Sequence, residues 1–235
     1  MASFNTLTIQ FRRRFSKQEV LETVYQSAYE VLCKLPQPWG LDGVPMKSLP
    51  NYQGQISTGV SYTKQLKASP IKNFGIGFFN RNRRDEPPDE SSYDDTMTVG
   101  FYVKKVDQNW KYLFSEVFPT YIQAFKPYVG ELTEDRIFSS DIGSRNFDTG
   151  EIYRNPDFID SRQGVCRIWP VNYWDRELCH KAFQLTPGEI VNRLAGKVAE
   201  CREFENGVLL IYSYEPPTVE QILQINPELM PILRD

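Results

Sequence analysis

Apolar and polar residues alternate first over Thr6–Phe11, where Leu7, Ile9 and Phe11 fall on one side and predict a strand with a single buried face. The period then changes from two to 3.6. Ser16-Lys-Gln-Glu19 has the spacing of a capping box, and Val20, Leu21, Val24, Tyr25, Ala28, Val31 and Leu32 form one helical stripe behind it. Pro36 and Pro38 cannot continue that helix, and residues 36–55, rich in Pro, Gly and Asn, predict a long ordered loop. Strands are expected at Ile56–Tyr62, Asn73–Phe79 and Thr96–Val103. Gln108–Phe125 predicts a long helix that carries Trp110, Leu113, Phe114, Val117, Phe118, Tyr121, Ile122 and Phe125 at helical spacing, with Pro119 kinking or splitting it.

Residues 130–160 show no clear period and predict a long polar connection with a short strand near Ile152. Gly164–Trp174 resumes an apolar run in which Pro170 implies an edge or a bulge. Arg176–Phe183 suits a helix, and Thr186-Pro-Gly-Glu189 is a second capping box that opens a short helix ending near Leu194 or Ala195. Lys197–Phe204 and Val208–Tyr214 meet at Asn206-Gly207, a dipeptide whose tolerance of positive φ signals a hairpin. Thr218–Leu223 begins a last helix after Pro216-Pro217. Strands and helices do not alternate in parallel-sheet units, so the fold class is α+β: an antiparallel or mixed sheet with helices packed on it.

Composition adds size and charge. The chain has 235 residues, 40% hydrophobic and 14% aromatic, enough for one domain over residues 1–235 with a sizeable core. Its net charge of −3 gives no global basic field for nucleic acid, and Arg12–Arg14 and Arg81–Arg84 read as short strand-edge clusters. No segment suits a secretory leader or a membrane span. Cys33, Cys166, Cys179 and Cys201 are scattered without a Cys-x-x-Cys pair, so a cytoplasmic protein with reduced thiols is expected.

One segment breaks the pattern. Between Asp85 and Asp95 the chain reads DEPPDESSYDD, eleven residues with six carboxylates and two prolines, bracketed by apolar strands. Because a buried carboxylate needs a partner or a proton, the run is expected to stand in water as a connection that puts negative charge at one edge of the sheet.

Motifs for chemistry are missing. The single histidine, His180, follows Cys179 on one helix, and i,i+1 neighbours point apart. Gly75-Ile-Gly77 lies inside an apolar strand rather than at a strand-to-helix turn, so packing of a helix or ring over that face explains it better than phosphate binding. The acidic run lacks the order of a calcium loop, and the cysteines lack zinc spacing. No enzyme, cofactor or metal is therefore expected. A hydrolase built on Asp141, Asp148 and Glu151 remains the competing chemistry.

The strand Phe74-Gly-Ile-Gly-Phe-Phe79, the segment Arg167-Ile-Trp-Pro-Val-Asn-Tyr-Trp174 and the hairpin Cys201–Tyr214 resemble the immunity protein 52 family of bacterial polymorphic-toxin systems. That resemblance implies a cytoplasmic protein that neutralises a cognate toxin, commonly a restriction-endonuclease-like nuclease linked to type VI secretion. A nuclease must offer a basic cleft to phosphates, which an acidic inhibitor can occupy. The candidate toxin-binding residues are then Asp85, Glu86, Asp89, Glu90, Asp94 and Asp95, with Tyr93, Trp169 and Trp174 as aromatic anchors. Core packing is the competing reading for the two tryptophans. Neither direct nucleic-acid binding nor a membrane is expected. The alternative function is a small-molecule hydrolase or ligand-binding domain with an acidic pocket.

Overall fold

The computed structural model describes residues 5–51, 55–66, 70–81, 89–106, 109–145 and 152–235. Its centre is β1, Thr6–Arg13, which pairs antiparallel with β4, Asp95–Tyr102, on one side and with β5, Val129–Thr133, on the other. Outward from β4 come β3, Ile71–Phe79, and β2, Ser57–Ser61. Outward from β5 come β8, Val171–Asp175, β10, Gly207–Ile211, and β9, Glu200–Phe204. The result is an eight-stranded sheet of order β2-β3-β4-β1-β5-β8-β10-β9, antiparallel at every pairing, in an α+β fold. Two short strands, β6 (Gly143–Arg145) and β7 (Ile152–Arg154), pair antiparallel in a separate two-stranded sheet.

Alternation along β1 assigns the faces. Leu7, Ile9 and Phe11 are buried against α1, Leu21–Leu32, and α3, Phe118–Phe125, in a core that extends to Val171, Tyr173, Leu209 and Ile211. Cross-strand partners share a face, so Thr8, Gln10 and Arg12 stand on the other side with Thr98, Thr96, Glu131 and Val129. On that side, among the described residues, helices cover β8 and β10 and their surroundings. Val129, Trp174, Val208 and Leu210 pack there against α5 (Arg176–Phe183), α6 (Pro187–Leu194) and α7 (Val219–Arg234).

Several local expectations change for physical reasons. Ser16 and Glu19 do exchange bonds, but they close a turn ahead of α1; its N-cap is Val20, which has no side-chain cap bond. The helix around Pro119 runs from α2, Trp110–Tyr112, through a π-turn, Leu113–Val117, into α3. Pro119 has no N–H to give, and Phe118 N–H reaches back to the Leu113 carbonyl as the chain takes up the misfit. The polar stretch after residue 130 contains strand β5 and helix α4, Asp135–Ile142, whose cap is the Glu134 carboxylate. The hairpin turn is Glu205-Asn206, with Glu205 at φ 51°; Gly207 begins β10, where a Cβ would lie 2.1 Å from the Trp174 carbonyl. Thr218 and Gln221 form the reciprocal cap of α7.

Candidate functional site

The acidic run does not all stand in water. Asp95 opens β4 at 0% exposure, held by the guanidinium groups of Arg13 and Arg81 and by the Phe79 backbone N–H at 3.0 Å. Asp94 is also buried: Arg162 Nε donates to it at 2.9 Å and the Tyr128 hydroxyl at 2.6 Å. Burial pushes the Asp94 carboxyl above its ordinary range, against the pull of Arg162 and Tyr128. Arg162 also reaches Asp89, and Asp160 takes the Ser91 hydroxyl at 2.8 Å, so residues 89–95 clamp the 155–167 segment to the sheet. The expectation of a solvated loop is therefore corrected for Asp94 and Asp95. The arginine runs read as strand-edge charge supply part of the pairing that lets these carboxylates go inside.

Asp89 keeps a side-chain exposure of 65%, and Glu90 and Tyr93 are partly exposed, with the Tyr93 ring edge-on to Phe79. Asp85 and Glu86 lie outside the described residues. Trp169 and Trp174 are 2% and 0% exposed, one in each core cluster, and their burial corrects the expectation that they anchor a partner. His180 is exposed on α5. Asp141 is spent on Arg167, while Asp148 and Glu151 lie outside the described residues. Among the described residues, no group of three His, Cys, Asp or Glu could hold a metal, and no helix is long and apolar enough to cross a membrane.

The uncovered side of β2-β3-β4-β1 is the larger feature. Register aligns Ser61, Gly75, Thr98, Gln10 and Glu131 in one row across five strands, and Gly59, Gly77, Thr96 and Arg12 in the next. These side chains are small or polar and reach water. Among the described residues, no helix or aromatic ring covers Gly75 and Gly77. A Cβ on Gly77 would instead crowd Thr96 Oγ1 of the next strand at 2.9 Å.

Where the open half meets the covered half, the row ends in a cavity of about 40 Å³ lined by Arg12, Glu131, Phe138, Asp141, Cys166, Arg167 and Trp169, among others. Glu131 projects from the middle of β5. Protein surrounds its carboxylate, although the residue still meets solvent. Its one hydrogen bond is from Gln10 Nε2 at 3.2 Å. The arginines of the cavity are engaged elsewhere: Arg12 Nη1 with the Ser91 carbonyl at 2.8 Å, and Arg167 with Asp141 through both carboxylate oxygens. Burial pushes the Glu131 carboxyl up to about 7, against the field of Arg12 and the Gln10 bond, and Asp141 adds to the rise. Reading the sequence missed Glu131 because Gly130 and Glu131 interrupt the apolar pattern of β5. Arg162 carried no signal at all.

No protein-family model matches the chain, and no curated protein matches it. The resemblance to the immunity protein 52 family therefore rests on the residues quoted above. Among solved structures the chain is similar to the Pseudomonas aeruginosa T6SS protein PA0821. They share 9% identity over 99% of this chain and 77% of that one, with a TM-score of 0.48. A likeness that distant carries no argument about function.

Proposed function

We propose that this chain is an immunity protein, which binds and neutralises a cognate toxin: a restriction-endonuclease-like nuclease of a type VI secretion system. The observation that carries the reading is the open polar face of β2-β3-β4-β1. Among the described residues, four neighbouring strands leave small and polar side chains in reach of water while the same side of β8 and β10 lies under three helices. Exposed carboxylates stand near it, Asp89 beyond one end and Asp135, bonded to Thr8, beside β1. A basic nuclease cleft is the occupant whose charge complements that rim. Inhibition is by contact and needs no chemistry of its own.

Co-expression with the toxin domain encoded beside this chain tests the reading. The two should co-purify and the host should survive. Thr98→Lys, which puts a long cation in the middle of the open face, should abolish both while leaving the melting temperature near that of the parent. Full protection by a folded Thr98→Lys variant overturns the open face as the interface.

The cavity at Glu131 favours a second reading, a small-molecule binding or hydrolytic site, because a carboxyl near neutrality can exchange a proton. Turnover lost in Glu131→Gln would select it.

A further inference from the structure

We propose that the cavity at Glu131 is a socket for a primary ammonium group, the lysine side chain of the bound partner. The identity of the partner rests on the immunity reading above; the preference for an ammonium does not.

The first reason is the account of charges around the cavity. Arg12 from β1, Asp141 from α4, and Cys166 and Arg167 from the 155–167 segment and its continuation are the other titratable groups that line it. Asp141 and Arg167 neutralise each other through two short bonds, and Arg12 is drawn to the Ser91 carbonyl. Among the described residues that line the cavity, the Glu131 carboxylate has no cation within hydrogen-bonding distance and takes its hydrogen bond from the Gln10 amide. The contrast with Asp95, closed in by two arginines, shows that this sheet can pair a buried carboxylate fully where structure is the purpose.

The second reason is size and shape. About 40 Å³ holds roughly one or two water-sized groups. An ammonium with its last methylene fits that space better than a planar guanidinium fork. Phe138 and Trp169 form apolar walls for the lysine stem, and the Glu131 carboxylate is the acceptor for the ammonium. Glu131 itself stands in the row that runs out through Gln10 and Thr98, which places the cavity beside the open face. Leaving a carboxylate unpaired in a cavity costs stability, which is the usual mark of a site kept for binding.

The test uses n-butylammonium as the probe and carbon-13 NMR of the Glu131 carboxyl as the readout, on the full chain. Without probe the resonance should titrate near neutrality. At ten times its dissociation constant, n-butylammonium should lower that midpoint by roughly one pH unit, because it binds only the ionised carboxylate. Tetramethylammonium, equally charged but without N–H donors, should leave it in place. No movement, or equal movement with tetramethylammonium, overturns the socket. In Glu131→Gln the probe should no longer perturb the Gln10 and Trp169 amides, and a retained perturbation overturns it too.

With the toxin, Glu131→Gln should raise the dissociation rate at pH 8 about tenfold and remove the gain in affinity between pH 6 and 8. Unchanged kinetics overturn the lysine assignment and leave the immunity reading standing. A chain that takes n-butylammonium but never binds the toxin fails the immunity reading and supports the socket as a small-amine site.

Discussion

The carboxylates of β4 and β5 differ in one respect. Asp95 begins β4 with no exposed surface and two arginines around it, while Glu131, two strands away on β5, lines a cavity with a single amide for company. The first site resolves its charge inside the protein; the second leaves it unresolved beside an open face. A buried carboxylate is tolerated only when paired, hydrogen-bonded or protonated. The two sites are the first and last of those solutions, one serving the fold and one available for a ligand.

The sharpest way to break the paired site is Asp95→Ala, which removes the carboxylate shared by Arg13, Arg81 and the Phe79 N–H and leaves Glu19 as the carboxylate near both arginines. Removing one partner of a buried pair costs about 3–5 kcal/mol, and urea denaturation should show a loss of that size. Arg162→Gln should cost somewhat less, about 2–3 kcal/mol, since the Tyr128 hydroxyl still donates to Asp94. It should also release the 155–167 segment to proteolysis ahead of the rest of the described chain. A melting curve for Asp95→Ala that overlays the parent would remove the contrast between the sites.

How much of this was legible in the sequence follows from what makes a pattern local. Strand β1 and the cap of α6 showed because alternation and Thr186-Pro-Gly-Glu189 lie within a few residues. Strand β5 did not. Its burial comes from β1 and β8 on its two sides, and Val-Gly-Glu-Leu-Thr has no apolar period of its own. The acidic run was visible, but the fate of Asp94 depends on Arg162, 68 residues further on. The aromatic content predicted a core, yet nothing near Trp169 or Trp174 told an interface ring from a buried one. Glycines 75 and 77 marked an unusual face without saying that it stays open.

Glu131→Gln sharpens the comparison from the other side by stabilising the protein. The folded carboxyl is raised to about 7 from an unfolded value of 4.5, so the unfolded chain holds its proton less tightly. No penalty exists below the unfolded value. Stability then falls as pH rises from there through the folded value, and stays low above it. Gln keeps the shape and never ionises. The variant should therefore gain on the order of 1–3 kcal/mol at pH 8 and little at pH 4. Guanidinium unfolding at the two pH values measures this, and an equal effect at both would show that Glu131 is not held near neutrality.

The smallest effect on stability belongs to the exposed end of the acidic run. Asp89 touches Arg162 and Gln163 while keeping most of its side chain in water, and Arg162 holds its carboxyl below the usual range. An exposed pair of that kind contributes at most about 1 kcal/mol and less in salt. Asp89→Asn together with Glu90→Gln should therefore shift the unfolding midpoint little. Charges at a rim act before contact: they raise the encounter rate and are screened by salt, while the dissociation rate depends on what is buried. Association of this double variant with the proposed toxin partner should slow severalfold at low ionic strength and match the parent at high salt, with dissociation unchanged. Stopped-flow association at two salt concentrations separates the cases. If dissociation accelerates instead, these carboxylates lie inside the interface, and the binding surface extends from the open face across the acidic run.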